Sequence, residues 1–244
     1  MIETDKERYW KDRASQYGAF KWANNSSYLS AFIKACAFEK ENWILDAGVG
    51  IGLVAKAILP FVSKVVGIDN SKDMLTQCNG NFNLMFCDVR DIPYPDGSFD
   101  KIIARNIFHH VTERLQVAMN ECHRVLKESG RIIIGERIPP SDETKEEYEA
   151  IFRLKDKRVV FIEDDLIELL KKTGFTFMHS KIHWIRGLSV KTWLAKSGLP
   201  DETQGKIFAL HINGSNELKE AYSMKIRDDD CFIDIKNLIL VGEK

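Results

Sequence analysis

The sequence predicts an α/β protein built on a mostly parallel sheet, and three observations carry that prediction. Short apolar runs recur near residues 43–46, 65–69, 83–87, 101–104 and 131–136, nearly continuous, as strands buried on both faces are. Helical patterns near 51–59, 71–79 and 112–127 fall between them. The first run, Trp43-Ile44-Leu45-Asp46, passes into Ala-Gly-Val-Gly-Ile-Gly (47–52), with glycine at alternate positions before a helix opens. Such a turn lets a ligand approach the backbone where side chains would forbid it. The helix N-terminus behind it favours an anionic group. The dinucleotide fingerprint wants its third glycine or alanine three residues after the second. Here position 53 is Leu and the third glycine stands at 52, which argues against a nicotinamide-dependent oxidoreductase.

The next strands justify themselves by how they end. Val65-Val66-Gly67-Ile68 closes in Asp69, and an acid at the tip of the second strand can accept both hydroxyls of a ribose. Ser71 is placed to cap a helix running to Gly80, with Met74 facing back over a ligand as a flexible apolar plate. Leu84-Met85-Phe86-Cys87 closes in Asp88, and the fourth strand is Lys101-Ile102-Ile103-Ala104. Taken singly, Asp46 and Asp88 also read as turn caps and Met74 as core.

Four ordered motifs make the pattern specific: Leu-Asp-Ala-Gly-Val-Gly-Ile-Gly (45–52), Gly-Ile-Asp-Asn-Ser-Lys-Asp-Met (67–74), Asp-Val-Arg-Asp-Ile-Pro-Tyr-Pro-Asp-Gly-Ser-Phe-Asp (88–100) and Arg-Val-Leu-Lys-Glu-Ser-Gly-Arg-Ile-Ile-Ile (124–134). In this order they resemble the class I S-adenosylmethionine-dependent methyltransferases. Within that class they resemble the type 11 small-molecule group that includes the ubiquinone and menaquinone C-methyltransferases; Arg105-Asn106 resembles that group as well. The resemblance spans residues 43–135, over a third of the chain. It departs at Val49, where a polar or small residue is common, and at Ser129, which replaces the first glycine of a Gly-Gly turn.

The resemblance implies a Rossmann-like fold with a seven-stranded, mostly parallel sheet in the order 3-2-1-4-5-7-6 and helices on both faces. It implies S-adenosyl-L-methionine as cofactor and S-adenosyl-L-homocysteine as product. It places Gly48, Gly50 and the backbone around Asp46 at the methionine part of the cofactor. Asp69 falls at the ribose, Asn70 and Met74 beside the adenine. Asp88 would accept from the adenine amino group with the Val89 N–H nearby, and the Arg105 backbone lies near the methionine amino group.

Composition narrows the partners. The chain has 244 residues, enough for one α/β domain with a large core, and a formal net charge of −1. That charge offers no electrostatic case for nucleic acid or a membrane surface. No run approaches a membrane span, and the charged N-terminus does not read as a signal peptide. Cys36, Cys78, Cys87, Cys122 and Cys231 have no ligand spacing, so we expect free thiols, a cytoplasmic protein and no metal. The oligomeric state is open.

Residues 1–40 read as two helices forming a cap or lid: a charged one with Tyr9, Trp10, Tyr17 and Phe20, then an apolar-periodic one over Tyr28–Phe38. Residues 41–183 together with 230–244 read as the core of a single domain, and 187–229 as a helical insertion. Thr112 is a candidate cap for the helix to 127, with Gly130 just past its end. Pro139-Pro140 breaks regular structure, Ser141 starts a helix to about Leu154, and Gly174 stops the amphipathic helix 163–173. A sixth strand is expected over 175–183 and the last over 231–243. Between them Trp193, Leu194, Ile207, Phe208, Leu210, Leu218, Tyr222 and Met224 fall at helical spacing, predicting two or three short helices. Those helices serve either a substrate pocket or subunit contact, or a plain stabilising cover.

Methyl transfer from a sulfonium is an in-line displacement in which the protein binds, aligns and desolvates. An acceptor that loses a proton needs a base titrating near working pH. His109 and His110, just past the fourth strand, are the candidates, His109 placed first; the alternative is backbone hydrogen bonding alone. Glu136 ends the fifth strand and either orients a polar substrate group or anchors Arg137. Tyr9, Trp10, Arg13 and Tyr17 share a helical face that either closes over the cleft or packs on the core. Arg153, in Phe-Arg-Leu-Lys-Asp-Lys-Arg (152–158), either grips a carboxylate or phosphate or ends a helix in solvent. The function expected is methylation of a small, anionic or phenolic metabolite. The alternative is a catalytically silent cofactor-binding module that engages a protein partner through the inserted helices, with an exposed apolar patch to match.

Overall fold

In the computed structural model, which describes Trp10, Lys11, Ala14, Tyr17, Gly18, Phe20 and residues 22–244, eight strands form one mixed sheet. The strands are β1 (Trp43–Ala47), β2 (Lys64–Asp69), β3 (Asn83–Phe86), β4 (Phe99–Arg105), β5 (Leu126–Arg137), β6 (Thr176–Ser189), β7 (Lys225–Arg227) and β8 (Asp230–Glu243). Their order is β3-β2-β1-β4-β5-β8-β6, with β7 paired to the outer part of β8. β1 to β5 are mutually parallel, while β8 enters antiparallel between β5 and β6. This is the expected order once β8 takes the place of the expected seventh strand.

The eighth strand corrects the expected seven. β7 is three exposed residues joined to β8 through Asp228 and Asp229, both at positive φ (49° and 57°), a tight hairpin of the primed type. Three residues with no buried face leave no alternation to read.

Helices α1 (Ser26–Cys36), α2 (Leu53–Ile58), α3 (Lys72–Gln77), α4 (Leu115–Val125), α5 (Lys145–Arg153), α6 (Glu163–Thr173), α7 (Val190–Ala195), α8 (Asp201–Ile212) and α9 (Asn216–Ala221) complete the described chain. Ser71 caps α3 by accepting from the Met74 N–H, and Gly174 stops α6 at φ 102°, both as predicted. The helix expected over 112–127 is shorter. Residues 108–110 form a 3-10 turn, Arg114 precedes α4 at φ 55°, and Leu126 already opens β5. Thr112 therefore caps nothing there. Strand β6 runs six residues beyond its expected end, and residues 190–221 hold three short helices.

Two apolar layers sandwich the sheet. One face carries Leu45, Ile102, Leu126 and Ile134 under α4 and α6, with Phe108 and Met119 in the same cluster. The other carries Ile44, Ile103, Ile133 and Ile239 under α1 and α2 through Tyr28, Phe32, Val54 and Ile58. Helix α1 is thus a sheet-covering helix, and among the described residues before it only Trp10 and Tyr17 reach the cleft. A third cluster joins α5 to the inserted helices through Tyr148, Phe152, Trp193, Ile207, Leu218 and Tyr222. The insertion's large apolar residues are consumed there; Leu210 and Ile226 are its exposed ones.

Two motif residues brace the cleft from outside. Arg124 bonds the Tyr94 and Ile92 carbonyls, Asp96 and Glu121, while Glu121 accepts from the Ile92 N–H, so the loop after β3 is pinned to α4. Asp100 accepts from the Trp43 N–H at 2.8 Å and pairs with Lys127, tying the starts of β1 and β4. No described helix is long and apolar enough to cross a membrane.

Candidate functional site

The carboxyl ends of β1, β2, β3 and β4 open on a cleft of about 650 Å³. Its floor is the glycine turn. Gly48 (φ 71°), Gly50 (φ 54°) and Gly52 (φ 80°) all occupy the left-handed region that favours glycine. A Cβ at Gly48 would stand 2.8 Å from the Ile107 side chain, and one at Gly52 2.7 Å from the Cys78 sulfur. The first glycine keeps the cleft floor low, and the third lets α2 pack against the segment after α3.

Acids line the cleft at three depths. Asp46, 2% exposed, keeps Oδ2 buried without a hydrogen-bond partner. Burial pushes its carboxyl up to about 7, against the opposing pull of Arg105 and the Ala55 backbone N–H. At the tip of β2, Asp69 accepts from the Gly50 N–H and the Ser71 N–H, each at 2.9 Å. Beyond β3, Asp88 accepts from the Arg90 N–H, Nε and Nη2 at 2.9, 2.8 and 2.7 Å, and from Asn70 Nδ2 at 3.3 Å. Hydrogen bonding to Arg90 holds its carboxyl down at about 2. Four bonds fill the usual lone-pair positions of a carboxylate. An incoming donor at Asp88 therefore displaces one of them, and the long bond to Asn70 is the weakest. Arg90, which motif reading passed over, lines the same wall.

Met74, Asn70, Val89 and Arg105 also line the cleft. Met74 is buried, its terminal methyl 3.2 Å from where a Gly50 Cβ would sit. The Arg105 guanidinium bonds the Ala23 carbonyl at 3.1 Å. Asn106 follows at φ 58°, donating its N–H to the Gly135 carbonyl at 2.7 Å. Asparagine tolerates that conformation better than most residues.

The inner wall separates the two histidines. His110 lines the large cleft, its ring 4.8 Å from Trp10 in a T-shaped contact. His109 is buried and borders a second, small cavity, its ring 4.0 Å from that of His110. Its Nδ1 sits 2.6 Å from Glu136 Oε2. Burial and the neighbouring cations hold both imidazoles well below their usual range.

Glu136 is fully buried, and its Oε1 accepts from the Phe108 N–H at 2.7 Å. Burial pushes its carboxyl up to about 8. It lines neither cavity and does not pair with Arg137, which corrects both readings offered for it. It sits behind the 108–110 turn and orients His109.

Arg153 is also corrected. It is an exposed helix-end residue paired with Glu149 at 3.0 Å, outside both cavities. The later residues of the same basic run face inward instead. Lys155 and Asp156 line the cleft, and the two are paired at 2.6 Å with their side chains buried. Arg158 holds Asp156 through two bonds. Helix α5 ends at Arg153, so helical spacing carried no information on where 155–158 would point. Tyr17 lines both cavities; Tyr9 and Arg13 lie outside the described residues.

The residues fit the cofactor implied by the motifs. Asp46 offers an unmet buried acceptor that suits a cationic amino group, Asp69 is an acid at the tip of β2 lining the same cleft, and the glycine turn leaves room for a ligand.

Residues 45–134 match the family described as a methyltransferase domain. Over 231 residues the chain is 27% identical to the uncharacterized methyltransferase YcgJ of Bacillus subtilis (strain 168), covering 88% of this chain and 90% of that one. The crystal structure of YcgJ superposes with a TM-score of 0.79 at 23% identity, over 89% of this chain and 98% of the other. The ubiquinone/menaquinone biosynthesis C-methyltransferase of Geotalea daltonii is 29% identical over 57% of this chain and 63% of its own length. Haemonchus contortus phosphoethanolamine N-methyltransferase 2, solved in complex with S-adenosyl-L-methionine, gives a TM-score of 0.63 at 18% identity, over 99% of this chain and 60% of that one. Residues 45–134 are thus a methyltransferase domain, set in a sheet whose order is the one implied by the resemblance to class I S-adenosylmethionine-dependent methyltransferases.

Proposed function

We propose that the chain methylates a small, anionic or phenolic metabolite by in-line transfer, and that its cleft divides into a cofactor end and an acceptor end. Bound S-adenosylmethionine supplies the activated methyl group. The observation that carries the reading is the contrast between the ends. Acids and glycines crowd the strand tips of β1 and β2, whereas His110, Trp10, Tyr17 and Lys155 crowd the far wall.

At the cofactor end, Asp46 receives the amino group, Gly48 and Gly50 admit the ligand, and Asp69 holds the ribose hydroxyls. Met74 and Asn70 cover the adenine, Asp88 and the Val89 N–H meet its edge, and the Arg105 backbone stands beside the methionine portion. At the acceptor end, Trp10 and Tyr17 exclude water and present aromatic faces that favour positive charge. His110 accepts the proton that an oxygen or nitrogen nucleophile must lose. Burial and the surrounding cations keep it neutral at working pH, the form a base requires. His109 acts as a positioning residue through the His109–Glu136 pair. Trp10 and Tyr17 belong to the lid, and Trp193 of the 187–229 insertion lines the outer wall of the acceptor end. The silent-module alternative requires an apolar docking face on the insertion, and most of that apolar surface is spent inside the chain.

Two measurements test the reading. Calorimetric titration with S-adenosylhomocysteine should give saturable, one-to-one binding. Incubation with methyl-labelled S-adenosylmethionine and a panel of small carboxylates and phenols should then yield a labelled product. Binding without label on any acceptor removes the small-molecule assignment.

A further inference from the structure

The small cavity beside the cleft is rich in donors and poor in acceptors. It holds about 30 Å³ and shares Trp10, Tyr17, Asn106, His110 and Lys155 with the large one, so the two adjoin. Among the described residues three cationic side chains line it, Arg137, Lys155 and Arg158, and no carboxylate does. Lys155 and Arg158 share the carboxylate of Asp156. Arg137 does not. Its guanidinium lies over the Trp22 ring, 4.5 Å from the centroid, and forms no side-chain hydrogen bond or ion pair with any described residue. The groups that act on it most strongly are Tyr148, Arg158, Tyr222 and Tyr17, none of them a carboxylate. Two other lining residues, Trp22 and Trp193, bury indole N–H groups that have no acceptor.

A partly buried guanidinium without a counter-charge among the described residues is costly, and a bound anion lowers the cost. The planar fork of arginine suits a planar, two-oxygen anion, and the cavity has room for about two water-sized oxygens. The walls around it are aromatic: Trp10, Tyr17, Trp22 and Trp193. We propose that this cavity seats the carboxylate of the methyl acceptor, read by Arg137, while a flat, aromatic body extends past Trp10 and Tyr17 toward His110. This rests on the acceptor-end assignment above and sharpens it, from an anionic or phenolic metabolite to an aromatic carboxylate. It also moves the anion-binding role from Arg153 to a residue that motif reading treated only as a partner for Glu136.

The test is a tryptophan-fluorescence titration of the full chain, with and without saturating S-adenosylhomocysteine, using benzoate, benzamide and phenyl phosphate as probes. Benzoate should bind saturably and about tenfold or more tighter than either of the others, the increment expected of a charge-assisted bidentate pair. Arg137→Met should lose about tenfold or more of the benzoate affinity while S-adenosylhomocysteine binding stays within about twofold. Arg137→Lys, which retains a cation beside Trp22, should fall between the two and controls for folding. Benzamide or phenyl phosphate binding as well as benzoate overturns the proposal, as does wild-type benzoate affinity in Arg137→Met. Absence of saturable benzoate binding up to about 20 mM overturns it as well. Failure of S-adenosylhomocysteine to bind refutes the cofactor-end reading separately, and the benzoate titration of the ligand-free chain still judges Arg137.

Discussion

The Gly50 backbone N–H donates to the Asp69 carboxylate at 2.9 Å, so the middle glycine of the turn after β1 is held by the acid at the tip of β2. Two motifs separated in sequence are thereby one structural unit. Asp69 uses its other oxygen to accept from the Ser71 N–H, which also fixes the start of α3 and hence Met74.

Asp69→Ala removes both braces and the acceptor for the ribose. Affinity for S-adenosylhomocysteine should fall about tenfold to a hundredfold, with benzoate binding to the ligand-free chain nearly unchanged. Calorimetry on both ligands reads the difference, and an equal loss on both would sink the ribose assignment.

Asp46 couples cofactor affinity to pH. Its carboxyl titrates at about 7 in the folded, ligand-free chain, against 3.8 when unperturbed. Between those values the folded state holds a proton that the unfolded chain has released, so this group's contribution to stability declines as pH rises from about 4 to about 7. An amino group bound to Asp46 needs the carboxylate. S-adenosylhomocysteine should therefore bind about fivefold more weakly at pH 6 than at pH 7, and about tenfold more weakly than at pH 8, with proton release on binding in that window. Asp46→Asn should remove the pH dependence, weaken binding at pH 8 and raise the ligand-free melting temperature by a few degrees. A pH-independent affinity in the wild type refutes the assignment.

Gly48→Ala places a Cβ 2.8 Å from Ile107 and forces a non-glycine residue to φ 71°. A loss of about 1–3 kcal/mol in chemical denaturation is expected, together with weaker cofactor binding because Ile107 lines the cleft. Gly187→Ala is the control: it shares a positive φ of 62° but meets nothing within 4 Å, so it should carry only the backbone penalty.

The histidines separate by turnover. With an acceptor found by labelled transfer to oxygen or nitrogen, His110→Asn should lower kcat by about a hundredfold or more while leaving S-adenosylhomocysteine affinity intact. His109→Asn should lower it less. Because both imidazoles are held well below their usual range, wild-type kcat should show no inflection near pH 6.5. Unchanged turnover in both variants across roughly pH 6–9 would leave these residues only a structural role.

Local chemistry explains what was legible in advance. Strand runs, the Ser71 cap, the Gly174 stop and the glycine turn are written in nearest neighbours, and each appears where its pattern stood. The misread boundaries lie where local signals compete. Thr112 offered a cap, yet the chain spent residues 108–110 on a 3-10 turn held by Glu136. Asp88 was legible as a strand-end acid; its saturation by Arg90 and Asn70 was not, because hydrogen-bond capacity is shared in space.

The sequence by itself determined the fold class, the cofactor and the strand-end acids, since a glycine turn and an acid at a strand tip are short-range requirements of backbone geometry. Tertiary structure alone decided which basic residue faces the acceptor end. Arg137, Arg153 and Arg158 are equivalent by composition. Burial, the position of Asp156 and the plane of Trp22 distinguish them: Arg153 goes to solvent, Arg158 is paired with Asp156, and Arg137 is held at the cavity without an acidic partner among the described residues. Desolvation and charge pairing depend on everything packed around a group, and no stretch of chain encodes them locally.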